Sequence, residues 1–119
     1  MIAIPTNDRL NIAQKSGRAK EFAFFDINNV ENVTFKENPH KHHDHSHTDG
    51  GHNHSHADMV DMFKNDKVNV IIVDVIGKHF KKDLFNEYFE IYKTDLTDLN
   101  EIALAFKEQL NNFTKIKED

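Results

Sequence analysis

Eight of the nine histidines of this chain fall between positions 40 and 56: His40, His42, His43, His45, His47, His52, His54 and His56. Asp44, Asp49 and Asp58 lie among or beside them. Imidazole nitrogen suits Ni²⁺, Zn²⁺, Cu²⁺ and Co²⁺, and carboxylate can fill remaining coordination positions. The pattern predicts that these eight histidines bind a divalent transition metal. A solvated linker that titrates near neutral pH is the plainer alternative.

The spacing adds a geometry. Asp49-Gly50 is a favoured pair for a type I′ hairpin turn. With that turn, His47 faces His52, His45 faces His54 and His43 faces His56, all on one side, because side chains alternate along a strand. Opposed Cβ atoms lie ~4.5–5.5 Å apart, so rings can converge on an ion at nitrogen distances of ~2.0–2.1 Å. The outermost pair competes with a capping box at Ser55-x-x-Asp58, which leaves His45, His47, His52 and His54 as the primary site. A two-stranded ribbon without an apolar face is marginal alone, so the metal would have to order it.

The elements around this segment are readable from periodicity. Ile2 to Ile4 is expected as a brief strand ended by Pro5. Phe22 to Ile27, the turn at Asn28-Asn29 and the alternating Val33 and Phe35 predict a strand followed by an antiparallel hairpin. After the histidine segment, 39–57, helix and strand alternate. Met59, Met62 and Phe63 mark one helical face, and the apolar run Val68 to Val73 a strand covered on both sides. Phe80, Leu84 and Tyr88 lie at helical spacing, and Phe89 to Tyr92 is a short strand. Asp98-x-x-Glu101 is a second capping box for an amphipathic helix carrying Leu99, Ile102, Ala103, Phe106 and Leu110. The polar tail after Phe113 is expected to fray. The result is one domain over 1–119, an α/β/α layering around a mixed five-stranded sheet with the histidine-rich loop 39–57 inserted, and with the two strands after the loop parallel.

Composition sets limits on function. The 119 residues suffice for one core, which ten Phe and no Trp would fill with Phe, Ile, Val and Leu. The formal net charge is −5, against nucleic acid as a partner, since phosphate binding needs a basic face. Without cysteine there are no zinc thiolates, disulfides or Cys-held iron–sulfur clusters. No stretch approaches the ~20 apolar residues of a membrane span, and the first residues lack a signal peptide's pattern, so a cytoplasmic protein is expected.

Several motifs together resemble one family. They are Ile2-Ala3-Ile4-Pro5-Thr6, the Gly17-Arg18-Ala19 turn, Phe22 to Asp26, Glu37-Asn38-Pro39-His40 leading into a His-rich loop, Val70-Ile71-Ile72, Ile76-Gly77 and Lys93-Thr94-Asp95. In order and spacing they resemble the dinitrogenase iron–molybdenum cofactor biosynthesis family, the NifX/NafY-like small domains, over most of residues 1–111. The resemblance implies a ribonuclease-H-like α/β fold without nuclease activity, and a role in carrying or inserting molybdenum- or iron-containing clusters. Where the family commonly has His-Phe before Gly-Arg-Ala, this chain has Lys15-Ser16. Where many members have Cys-Gly-Gly, it has Val73-Asp74-Val75. The implied pocket then holds Lys15, Arg18, Lys78 and His79 beside the Ser16-Gly17 and Ile76-Gly77 turns, cations and backbone N–H groups suited to an anion. Its expected cofactor-binding residues are Lys15, Ser16, Gly17, Arg18, Gly77 and His79.

Two functional readings follow. In the first, the protein is an accessory that sequesters or delivers Ni²⁺, Zn²⁺ or Cu²⁺ through its histidine loop, to a metalloenzyme or cofactor-assembly partner. In the second, it carries an iron–molybdenum or related cluster in cofactor biosynthesis. An enzyme is not expected: no Gly-x-Ser-x-Gly, P-loop or His-Glu-x-x-His motif is present, and Asp8, Asp26 and Asp74 sit at strand ends where turns account for them.

Overall fold

The computed structural model of the chain describes residues 1–39 and 56–118. The ribbon expected around Asp49-Gly50, with the histidines from His40 to His54, lies outside these residues. Ten elements follow in order: β1 (Ile2–Thr6), a 3₁₀ turn (Ser16–Arg18), β2 (Glu21–Asp26), β3 (Asn29–Glu37), α1 (Ala57–Asn65), β4 (Val70–Val73), α2 (Lys78–Asn86), β5 (Glu90–Thr94), α3 (Leu99–Lys107) and β6 (Phe113–Lys115). The six strands form one mixed sheet in the order β3-β2-β1-β4-β5-β6. β1 and β5 both run parallel to β4, and the outer pairs are antiparallel.

Alternation along the central strands sorts the core into two faces. Ala3, Phe22, Phe24, Ile71 and Val73 pack with Met59, Phe63, Phe80 and Leu84, so α1 and α2 cover one side. Ile2, Ile4, Ala23, Phe25, Val70 and Ile72 pack with Leu99, Ile102 and Ala103, so α3 covers the other. Each helix has only nine residues, too short to persist alone, so this burial stabilises them. Phe63 is fully buried and meets Phe22 edge-on at 5.1 Å and Phe89 at 5.9 Å. The expected three layers and the parallel β4–β5 pair are present.

The structure corrects several boundaries. The sheet has six strands, not five, because the tail expected to fray forms β6 against β5. Phe113 supplies the reason: its ring stands edge-on to Phe106 at 5.2 Å. Pro5 does not end β1 but continues opposite Phe22. Pairing with β4 stops at Ala3, so the missing N–H breaks no ladder on that side. The N-cap of α1 is His56 rather than Ser55, and its own side chain makes no cap bond. Tyr88 lies past the end of α2 with φ 68° and is 93% exposed, and Leu110 lies past α3, half-exposed. Of the second capping box the N-cap bond is present, with Asp98 accepting from the Glu101 N–H at 2.9 Å. Among the described residues no helix is long and apolar enough to cross a membrane.

β1 and β4 are parallel neighbours, so the chain leaves both at the same end of the sheet. Ligands of open α/β sheets commonly sit outside such carboxyl ends. Residues 7–14 cross towards α3, with the Ile12 N–H on the Thr97 carbonyl at 2.8 Å. The chain then returns to lay Lys15 beside Val75 in a parallel bridge.

Candidate functional site

Two turns meet at that end of the sheet. The Ser16 N–H donates to the Val75 carbonyl at 3.1 Å, and the buried Ser16 hydroxyl donates to the same oxygen at 2.8 Å. The Val75 N–H in turn donates to the Gln14 carbonyl at 3.0 Å. These bonds fasten the Ser16–Arg18 turn to the segment that becomes Gly77 and the start of α2. The expected cofactor-binding residues Lys15, Ser16 and Gly17 thus lie alongside Val75 to Phe80. Lys15, Arg18, Lys78 and His79 are exposed, with Ser16 buried beneath them.

A second support comes from the far end of β3. Asn38 is 1% exposed, and its side-chain amide donates to the Ala19 carbonyl at 2.8 Å and to the Gly17 carbonyl at 3.3 Å. Its backbone N–H donates to the Lys20 carbonyl at 2.9 Å. The residue that leads into the histidine segment therefore clamps the 3₁₀ turn.

His56, the last histidine of the segment, is buried against the same turn. A Cβ added to Gly17 would sit 3.7 Å from Phe80 and 4.0 Å from His56 Nε2, ordinary contact distances. Gly17 does not adopt positive φ, so neither backbone conformation nor crowding demands a glycine there. Gly77 also has ordinary φ and is the N-cap of α2, where glycine is common.

The first turn of α2 carries no acidic residue and no side-chain cap. Instead Lys78 and His79 occupy that turn, at the positive end of the helix dipole.

Of the eight histidines expected to hold metal, the structure describes His56 alone, and no group of three or more His, Cys, Asp or Glu side chains able to hold an ion occurs among the described residues. His56 Nδ1 lies 2.8 Å from an Asp83 oxygen on α2. The strand-end carboxylates serve turns: Asp8 accepts from the N–H groups of Leu10 and Asn11, and Asp26 from that of Asn28. Asp74 lies 3.5 Å from Lys93 Nζ, which also donates to the Asp74 carbonyl. Sequence reasoning passed over Asn38 as a clamp and Asp83 and Phe80 as partners of His56. No local pattern marks them, since each acts on a residue at least nineteen positions away.

No curated protein matches the sequence. Solved structures do match its fold. A protein crystallised as PH0822 shares 18% identity at a TM-score of 0.69, covering 98% of this chain and 96% of that one. A dinitrogenase candidate from Methanocaldococcus jannaschii shares 20% identity at a TM-score of 0.67, covering 99% and 95%. A NifB-protein candidate from Thermotoga, assigned to the DUF35 family, shares 19% identity at 0.69, covering 99% and 94%. The family model for the dinitrogenase iron–molybdenum cofactor matches residues 1–109. With nearly the whole chain spanned, the protein belongs to the dinitrogenase iron–molybdenum cofactor family.

Proposed function

We propose that the protein is a non-enzymatic carrier in the biosynthesis of iron–molybdenum or a related metal-cluster cofactor. Its cargo would sit against Lys15, Ser16, Gly17, Arg18, Gly77 and His79, and be passed in the cytoplasm to a cofactor-assembly or nitrogenase-related partner. Family membership supports the class of role, and the likeness to the NifB-protein and dinitrogenase candidates agrees with it. The observation that carries the reading is the Gly17 turn, fastened by Val75 and Asn38, with Lys15 and Arg18 exposed on it and the start of α2, which has no side-chain cap, beside it. Such clusters are anionic, so cations and N–H dipoles hold them by charge even where thiolates are lacking. We assign the fold to the ribonuclease-H-like class and take 1–119 as one domain.

The test is an anaerobic titration of the purified protein with isolated iron–molybdenum cofactor, with metals counted by elemental analysis after gel filtration. The wild type should retain molybdenum and iron together. Lys15→Glu combined with Arg18→Glu should lower retention by at least tenfold. A wild type that emerges without metal overturns the reading.

A second role favours the histidine segment, 39–57. Its two flanks, Asn38 and His56, both rest on the Gly17 turn, which would put any Ni²⁺, Zn²⁺ or Cu²⁺ held by His40, His42, His43, His45, His47, His52, His54 and His56 beside the cargo. Nickel titration of the protein against a variant with those eight histidines replaced tests it. Equal uptake by the two proteins would reject the segment as a metal site.

A further inference from the structure

The connection from β1 to β2 passes two groups of opposite charge at the carboxyl end of the sheet. Three acids gather where it crosses the start of α3. Asp98 forms an antiparallel bridge with Asn11, the Asn11 N–H donates to Asp8 at 2.8 Å, and Asp95 follows the end of β5. Three cations gather where it reaches α2. Lys15 bridges Val75, Arg18 ends the 3₁₀ turn, and Lys78 begins α2. All six residues are exposed.

The chain pairs charges elsewhere, Arg9 with Glu21, Lys36 with Asp66, Lys64 with Glu87 and Lys93 with Asp74. Among the described residues, none of these six makes an ion pair. Residues 11–16 lie between the two groups as a strap pinned at both ends, by the Ile12 N–H on the Thr97 carbonyl at 2.8 Å and the Val75 N–H on the Gln14 carbonyl at 3.0 Å. Each group also holds an exposed apolar side chain. Leu10, 66% exposed, is on the acidic side, where its carbonyl accepts from the Leu99 N–H. Val75, 45% exposed, is on the cationic side.

A surface built from these two halves is complementary to itself. Turning a second copy about a two-fold axis through the strap sets acids on cations and Leu10 on Val75, and does so twice, as a symmetric contact requires. We infer that the protein without cargo pairs with a second copy of itself through this end of the sheet. An unrelated acidic protein would match the cations alone and leave the acids facing like charge. A nucleic acid would do the same. The inference goes beyond the carrier reading and does not depend on it. Lys15 and Arg18 cannot meet a second copy and an anionic cargo at once, so the two would compete.

Analytical ultracentrifugation of the full chain without cofactor reads the pairing over a wide range of concentration, with folding followed by circular dichroism. The wild type should pass from monomer to dimer. Its dissociation constant should rise about tenfold or more between about 0.01 M and about 1 M salt, as the Debye length falls from about 30 Å to about 3 Å. Lys15→Glu combined with Arg18→Glu should weaken the dimer by about tenfold or more, because like charges then face each other. Asp95→Lys combined with Asp98→Asn should do the same, the asparagine keeping a capping side chain on α3. Mixed in equal amounts, the two variants should pair more tightly than either does alone, since the acids of one then meet the cations of the other. If either variant does not fold, Leu10→Lys carries the test, since it sets a cation against the second copy's cations from an exposed position. It should weaken the dimer as well. A wild type that stays monomeric at every concentration overturns the pairing. A dimer indifferent to salt and to these substitutions lies on another surface and overturns the assignment. The carrier reading stands or falls separately, on cofactor retention.

Discussion

Two turns follow β1 in close succession, and they are built on opposite plans. The first, Thr6 to Asn11, is closed by its own side chains. The buried Thr6 hydroxyl donates to the Asn11 carbonyl at 2.7 Å and accepts from the Arg9 N–H at 2.9 Å. Asp8 accepts from Leu10 and Asn11, and Arg9, at φ 65°, pairs with Glu21 at 2.7 Å and lies over the Phe35 ring. The second, Lys15 to Ala19, is held from outside, by Val75, Asn38 and the packing of Phe80, while Lys15 and Arg18 face solvent. The first turn draws much of its hydrogen bonding from its own side chains, whereas the second borrows its side-chain supports and leaves its charges exposed.

Breaking the self-closed turn should cost the most stability and no binding. Thr6→Val keeps the shape of a fully buried side chain but strands the N–H and carbonyl groups that its hydroxyl serves. A loss of about 2 kcal/mol is expected, since each buried unsatisfied group costs roughly 1–3 kcal/mol. For a chain of this size that lowers the melting temperature by roughly 6–12 °C. Cofactor retention below the melting point should be unchanged; a parallel loss of retention would mean that the two turns are not separable.

Asn38→Ala sharpens the contrast from the other side. It removes the two side-chain bonds that clamp Gly17 and Ala19, so about 1–2 kcal/mol should be lost by urea unfolding. Here cofactor retention should fall as well, by more than the stability change accounts for at temperatures where the variant is folded. Unchanged retention would show that the second turn keeps its shape without the clamp.

How much of this was legible in the sequence depends on how local each signal is. The Asp98 cap was readable because donor and acceptor are three residues apart and obey one backbone geometry. The two-sided burial of β4 was readable from its unbroken apolar run. Pro5 was misjudged because whether a strand tolerates proline depends on which neighbour pairs there, a property of the sheet. The end of the chain was misjudged because Phe113 finds its partner on α3. At the site, the resemblance drew attention to Lys15 to Arg18 and to Gly77. His56, though, counted only as the eighth of a row, while its environment comes from Asp83, 27 residues away, and an aspartate on a short charged helix gives no sign of such a partner. The count of histidines drew attention to the segment, and its last member lies beside Asp83 and the Gly17 turn.

The smallest effect concerns acid. Two backbone N–H bonds, from Asn11 and then Leu10, hold the Asp8 carboxyl below the usual carboxylate range, although desolvation opposes them. The hydrogen bond from Arg9, with a lesser contribution from its charge, does the same for Glu21. A carboxyl depressed in the folded state binds its proton more weakly there than in the unfolded chain. Its contribution to stability is therefore complete above the unfolded pKa and is lost as pH falls through the folded one. Urea midpoints measured from about pH 7 to about pH 3 should therefore fall on the acid side, with the self-closed turn contributing to the slope. Asp8→Asn keeps an oxygen acceptor for the Leu10 and Asn11 N–H groups and removes the charge, so it should flatten that limb while changing the neutral midpoint little. The externally held turn contains no carboxylate from Lys15 to Ala19, so Lys15→Met should leave the acid limb unchanged. An equal flattening by both substitutions would place the acid sensitivity elsewhere in the molecule and remove the electrostatic part of the contrast between the turns.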